Sequence, residues 1–419
     1  MAREYKDSGI EWIGRIPKDW KVCSLSQMAK EHYISNKNIH NQNLLSLSYG
    51  KIVNKNINTT DGLLPASFDT YQIVEDGNIV LRLTDLQNDQ RSLRVGLSTQ
   101  KGIITSAYLA LEAMSLVLPK YLHYQLHSAD IKKVFYSMGN GVRQNLNWVE
   151  LRKLNCILPS LDEQQAIASY LDKKCAEIDS LVELQEQMIA QLTDYKQSVI
   201  TEAVTKGLNP EAELVPSGID WIGDVPKGWA ITKVKWQLNE RKERSERGKE
   251  EPLSMSQKYG LIPTKEMDVV PNMASSFVGA KLVYKGDLVF NKLKAHLGVF
   301  AVSKFDGLVS PDYAVYSKRG NCSMKYLEYL FKTPQYIAEF RKLSTGVGAG
   351  LTRLYTDDLF SISCIYPPAN EQESIALYIQ EKCHEIDTLI SIKRQKIETL
   401  KEYKKSIIFE AVTGKTNID

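Results

Sequence analysis

The sequence predicts an α+β fold written twice in tandem, each copy a mixed α/β domain followed by one long helix of coiled-coil character. Three observations predict it. "SGIEWIGRIPKDW" at 8–20 returns as "SGIDWIGDVPKGW" at 217–229, an offset of 209. "EQQAIASYLDKKCAEIDSLVELQ…" from Glu163 returns as "EQESIALYIQEKCHEIDTLISIK…" from Glu371, an offset of 208. Both of these longer stretches carry an apolar seam with a 3.5-residue period. Matching offsets at both ends describe one unit duplicated in tandem.

Taken in order, each copy opens on the "SGI(E/D)WIG" element, whose Ile10, Trp12 and Ile13, with Ile219, Trp221 and Ile222, read as packing residues. Between the shared ends the middles have drifted. Echoes persist, as in "SLSYG" at 46–50 against "SMSQKYG" at 254–260, and "VEDGNIVLRL" at 74–83 against "VYKGDLVFNKL" at 283–293. Short β-rich runs bounded by Gly77 and Gly286 precede helix-like runs such as "YLHYQLHSADIKKVF" and "YLEYLFKTPQYIAEF", a mixed pattern.

A heptad started at Leu171 places Leu171, Ile178, Leu192 and Val199 at a, with Leu181, Met188 and Tyr195 at d. In the second copy Ile379, Ile386, Leu400 and Ile407 fall at a, with Leu389 and Tyr403 at d. Gln185 and Lys393 break the seams at matched places, a pattern that fixes register. Asp162 with Gln165, and Asn370 with Glu373, have capping-box spacing, and Gly207 and Gly414 supply stops. The resulting boundaries are a first domain at 1–160, a long helix at 161–207, a second domain at 208–368, a second long helix at 369–414 and a tail at 415–419.

Composition bounds the class. With 25% charged and 43% hydrophobic residues, the 419-residue chain is of the ordinary globular kind. The first fourteen residues lack the apolar core of a secretory signal, so a cytoplasmic protein is expected. Six cysteines form no C-x-x-C pair and read as reduced thiols. The net charge of +3 is unevenly spread: residues 21–160 carry +5 and 230–368 carry +7, against −6 over 161–205 and −1 over 369–413. Basic domains beside acidic helices point to a polyanion such as nucleic acid.

Motifs for chemistry fail on inspection. "GKT" at 414–416 has Phe409 where a phosphate-binding loop needs glycine, and "STGVGAG" at 344–350 reads as a turn. His123 and His127 have metalloprotease spacing without the glutamate and read as surface histidines, and "YPPA" at 366–369 lacks the Asn or Asp of an adenine methyltransferase motif.

The two long repeats, with the repeated "SGIEWIGRIPKDW" element, resemble the conserved regions of specificity subunits of type I restriction–modification systems over the whole chain. The resemblance implies a non-catalytic subunit with two target recognition domains, each binding one half of a split double-stranded DNA target. It implies long helices packed antiparallel, related by a pseudo-twofold axis, that set the separation. Two modification (methyltransferase) subunits dock on it, joined by restriction subunits. S-adenosylmethionine, ATP and Mg belong to those partners, and this chain has no cofactor or metal of its own. A coiled-coil DNA-binding adaptor outside restriction–modification is the alternative.

Base readout asks for long polar side chains on loops that reach a groove. In the first domain "RLTDLQNDQRSLR" at 82–94 and "GNGVRQNLNW" at 139–148 nominate Arg82, Gln87, Arg91, Arg94, Arg143, Gln144 and Asn145. In the second, "NKLKAHLG" at 291–298 and "TGVGAGLTRLYT" at 345–356 nominate Asn291, Lys292, Lys294, His296, Arg353 and Tyr355.

Overall fold

The central strands of the two copies, Ile79–Leu81 and Leu288–Asn291, are almost wholly buried runs of Ile, Val, Leu and Phe, and each enters from the same kind of turn. Gly77 and Gly286 take φ of 85° and 95°, which a side chain would oppose. Asn78 Oδ1 then accepts the Glu75 N–H, and Asp287 Oδ2 the Tyr284 N–H, closing equivalent turns at 2.8 and 2.9 Å. The computed structural model of the chain describes residues 3–37, 39–57, 65, 67–89, 92–138, 145–256, 259–269, 276–346 and 352–418. It divides into two compact units, the first made of residues 1–185 with 394–419 and the second of residues 186–393.

In the first unit a four-stranded antiparallel sheet has the order Ala29–His32, Leu109–Ala113, Ile79–Leu81, Val95–Leu97. In the second unit Leu238–Glu240, Tyr313–Lys318, Leu288–Asn291 and Phe300–Val302 repeat that order. One face of the first sheet packs on helix Pro119–Ile131. In the second unit the covering layer is two helices, Met324–Phe331 and Pro334–Leu343. There Phe290 stacks on Phe300 at 4.3 Å and meets Phe331 and Phe340 edge-on. The drifted middles thus keep one sheet and vary its cover.

The repeated opening element clamps the start of each long helix. The Trp20 indole N–H donates to Glu163 Oε1 at 3.0 Å, and the Trp229 indole N–H donates to Glu371 Oε2 at 3.0 Å. Ile10 and Ile13 are buried in the first core, and Trp221 and Ile222 pack against the second. The first long helix runs Leu161–Lys206 and the second Ala369–Val412. The first starts at the expected residue but is capped two residues before the expected capping box. Its reciprocal cap is Ser160 with Glu163, Ser160 Oγ accepting the Glu163 N–H and Glu163 Oε2 accepting the Ser160 N–H, rather than Asp162 with Gln165. Asn370 lies inside the second helix, and Glu371 N–H is satisfied by the Pro368 carbonyl. Gly207 and Gly414 end the helices with φ of 77° and 69°.

Each unit contains an antiparallel pair of helix segments, and the pairs are copies of each other. In the first unit Lys404 Nζ donates to Asp179 Oδ1 at 2.6 Å, and Ile407, Ile408, Ala411 and Val412 share a core with Ile167, Leu171, Cys175 and Ile178. In the second, Lys196 Nζ donates to Asp387 Oδ1 at 2.8 Å. These two bonds are one bond written twice, 208 residues apart. Ile386 and Val199 are buried, while Leu192 and Leu400 are half-buried and Met188 receives the Lys393 ammonium.

The seam differs from the expected one on one side. Leu181, Tyr195, Leu389 and Tyr403 are 44%, 58%, 47% and 53% exposed and do not pack between the helices. The residues that accompany the a positions lie four residues on rather than three: Cys175, Val182 and Ile189 in one helix, Cys383, Ile390 and Ile397 in the other. Apolar residues flank the a positions on both sides, so the 3.5-residue period alone leaves the companion row open. The wider apolar face has two rows, and one is left outside.

Among the described residues no helix is long and apolar enough to cross a membrane. All six cysteines are free thiols.

Candidate nucleic-acid interface

Two loops meet at the same end of the sheet in each unit. In the first, residues 82–94 join neighbouring strands Ile79–Leu81 and Val95–Leu97. Leu146 N–H donates to the Leu83 carbonyl at 2.9 Å and Asn145 Oδ1 accepts the Asp85 N–H at 2.9 Å, which brings the second nominated stretch against the first. In the second unit residues 292–299 join the equivalent strands, and Leu354 N–H donates to the Lys292 carbonyl at 3.1 Å. Thr345–Gly346 pairs with Thr352–Arg353 as a hairpin, in keeping with a turn; residues 347–351 lie outside the described residues. Stretches more than fifty residues apart in sequence therefore form one paired-loop surface per unit.

The side chains on these surfaces differ. In the first unit Arg82 is a third exposed and rests 3.6 Å from Asp89, and Gln87 is exposed. Asp85 takes φ of 56°, a conformation its short polar side chain tolerates, and its carboxylate accepts from Asn88. Arg91, Arg143 and Gln144 lie outside the described residues.

Arg94 is not on this surface, contrary to its nomination. It is fully buried, and its guanidinium donates to the carbonyls of Arg82, Thr84, Asp85 and Asp89 and to the Tyr136 hydroxyl. Its own N–H donates to Asp130 Oδ2 at 2.6 Å, and burial pushes that carboxyl up to about 6. With its donors spent on backbone, Arg94 shapes the loop from beneath and has none for a base.

In the second unit Lys294 and Tyr355 are exposed, while Asn291, Lys292, His296 and Arg353 are half-buried. Arg353 Nη2 donates to Asp312 Oδ1 at 2.9 Å, and His296 Nδ1 lies 3.4 Å from the Thr352 hydroxyl. Asn291 Oδ1 accepts the Leu293 N–H. Beneath them is a residue that sequence reading missed: Lys281, nearly buried, donates to the Tyr313 carbonyl at 2.7 Å with Glu240 at 3.8 Å. Burial first, then the neighbouring Lys292, hold its ammonium below the usual lysine range. Opening a strand after Ala280, it looks in sequence like any solvated lysine.

Two hairpin tips were also missed. Tyr49, 84% exposed with φ of 47°, and Tyr259 each precede a glycine of positive φ, Gly50 and Gly260. The "SLSYG" and "SMSQKYG" echo was the signal.

His123 and His127 are half-buried rather than exposed. Their rings stack at 5.8 Å on the buried side of helix Pro119–Ile131, and burial lowers them to about 4 and about 3. No group of three or more His, Cys, Asp or Glu among the described residues is placed to hold a metal.

Residues 17–194 match the family described as the type I restriction modification DNA specificity domain. The chain is 25% identical to the type I restriction enzyme MjaX specificity subunit of Methanocaldococcus jannaschii, over 100% of this chain and 99% of that one. It is 23% identical to the MjaVIII specificity subunit of the same organism, over 96% and 94%. Among solved structures it resembles a chain of a type I R-M system with a TM-score of 0.70 at 14% identity, covering 96% of this chain and 99% of that one. The HsdS subunit from Thermoanaerobacter tengcongensis follows at 0.54 and 14%, covering 96% and 98%. Duplicated frame, paired helices and full-length likeness agree: residues 17–194 carry a type I restriction modification DNA specificity domain, and the whole chain is similar to type I restriction enzyme specificity subunits.

Proposed function

We propose that this chain reads a bipartite double-stranded DNA target without itself catalysing a reaction. The domain at 1–160 takes one half-site and that at 208–368 the other, working in the prokaryotic cytoplasm. The observation that carries the reading is the paired-loop surface at the same sheet end in each unit, on one repeated frame but with different side chains. Two frames alike and two surfaces unlike are what two different half-sites require. Arg82, Gln87 and Asn145 in the first unit, and Asn291, Lys292, Lys294, His296, Arg353 and Tyr355 in the second, supply amide, guanidinium and ammonium donors suited to base edges and phosphates. Arg91, Arg143 and Gln144 join them on sequence grounds.

The row of apolar residues left outside the helix pairs supports docking of modification subunits. The first unit exposes Leu181, Leu184 and Tyr403; the second exposes Leu389, Ile392 and Tyr195, the same positions 208 residues on or back. Matching apolar faces in duplicate suit two copies of one partner, and contiguous exposed apolar patches mark interaction sites. Restriction subunits join through these partners, which bring S-adenosylmethionine, ATP and Mg. The long helices, ~66–69 Å at 1.5 Å per residue, serve as the spacer between half-sites.

Adenine-methylation sequencing of a host with and without the gene tests the reading. One split motif should vanish on deletion; an unchanged methylome would overturn it.

A further inference from the structure

The two units are not finished alike beside the opening element. In the first, the groove between the end of the second long helix and the element is closed by the chain's own tail. Lys415 Nζ donates to the Ile13 carbonyl at 2.8 Å and sits 4.1 Å above the Phe409 ring, with Lys132 over the same ring at 4.5 Å. Ile418 packs on the core beyond it.

In the second unit the matching positions are Thr201 for Phe409, Glu202 for Glu410 and Ile222 for Ile13. After Gly207 the chain runs to strand Leu214–Pro216, and Leu208, Asn209, Pro210 and Ala212 line an adjoining cavity of about 510 Å³. The groove itself, about 680 Å³, stays open. Thr201 and Ile222 form part of its lining, Asp194, Glu202 and Asp224 give it a negative rim, and Lys206 is its one cation. The first unit keeps carboxylates at Glu402 and Glu410 but has Arg15 where Asp224 stands, so the open copy is the more negative of the two.

We propose that this groove of the second unit receives a lysine- or arginine-bearing segment of a partner protein at the place Lys415 takes in the first, held by the rim carboxylates because Thr201 supplies no ring. Charge complementarity and the tail's own example select a cationic segment. An acidic strand or nucleic acid meets three carboxylates there. A second copy of this chain would have to vacate its own first groove to supply the tail, gaining nothing. Because the first groove is already filled, the two docked partners are inequivalent: one has an anchoring site beside it that the other lacks. The identity of the natural donor rests on the docking reading above; the groove's preference does not.

The probe is a fluorescein-labelled peptide of the tail sequence TGKTNID, titrated against the full chain by polarisation. Saturable 1:1 binding is expected, weakened at least tenfold by Glu202→Lys with Asp224→Lys, both exposed, and equally by alanine for the peptide's lysine. Absence of saturable binding, or affinity indifferent to the charge reversals, overturns the proposal. So does affinity lost through Glu410→Lys instead, which would mean exchange with the tail in the first unit. A parallel titration with the methyltransferase subunit separates the two ideas. Failure of any partner to bind wild-type chain sinks the docking reading and leaves the peptide result to decide the groove.

Discussion

Arg94→Met separates a base reader from a strut. The side chain is fully buried, and it satisfies four backbone carbonyls and one tyrosine hydroxyl of the first unit. Methionine fills much of the volume but takes the donors from the Arg82 and Thr84 carbonyls under the loop, while Asp85 keeps the Asp89 N–H and Asp89 the Tyr136 hydroxyl. Removing one partner from a buried charged network costs about 3–5 kcal/mol. For a unit of roughly 200 residues each kcal/mol moves the transition by about 2–4 °C, so the first unit should melt roughly 6–20 °C lower. Calorimetry on the full chain reads this, because Arg94 touches only first-unit residues and the second unit's transition should stay in place. Below the lowered transition, binding to DNA bearing only the second half-site should be unchanged. A first-unit transition within about 2 °C of wild type, together with relaxed preference in one half-site, would refute the reasoning and restore Arg94 to the surface.

Arg82→Ala, by contrast, should leave stability alone and cost about 1–3 kcal/mol of binding with relaxed preference in one half-site; uniform weakening on all duplexes would identify a phosphate contact. Leu181→Asp with Leu184→Asp should reduce bound modification subunits from two to one by native mass spectrometry, and Leu389→Asp with Ile392→Asp should remove the other. Two copies retained in either variant would rule out the exposed rows as docking faces. Seven residues inserted after Gln185 and after Lys393 lengthen each helix by ~10.5 Å and should widen the methylated motif's gap by about three base pairs; an unchanged gap removes the spacer role. His123 and His127 titrate near 4 and 3 when folded against 6.5 when unfolded, so the unfolded chain binds more protons below pH 6.5. The stability they contribute is whole above that pH and is lost as pH falls toward 4. At pH 5.5 each costs about 1.4 kcal/mol, a loss that the double glutamine variant should be spared; parallel urea midpoints from pH 7.5 to 5.5 would contradict this. Asp130, raised to about 6, acts oppositely but equally in both proteins.

Much of the architecture was legible because it is repeated. Two offsets, 208 and 209, locate the frames, and β-rich runs bounded by Gly77 and Gly286 locate the central strands. The site was legible at the level of loops rather than of residues. Arg82 and Arg94 stand at the two ends of one polar stretch and look alike there, yet one is a third exposed and the other is enclosed by carbonyls. Lys281 looks solvated and is nearly buried. A polar side chain's role depends on which backbone groups arrive around it, and those come from residues far along the chain.

The amino-acid sequence by itself determined the duplication, the long helices, the α+β middles and the kinship. Periodicity and repetition are properties of one dimension, and each residue's local preference suffices to express them. Only the tertiary structure decided which row of each helix is covered, since Cys175 and Leu181 both flank the apolar line and the opposing helix buries only the first. It likewise decided that one groove is filled by the chain's own tail and its twin left open. The link from Lys206 runs on to the strand at Leu214, whereas Lys415 turns back onto Phe409 and the Ile13 carbonyl.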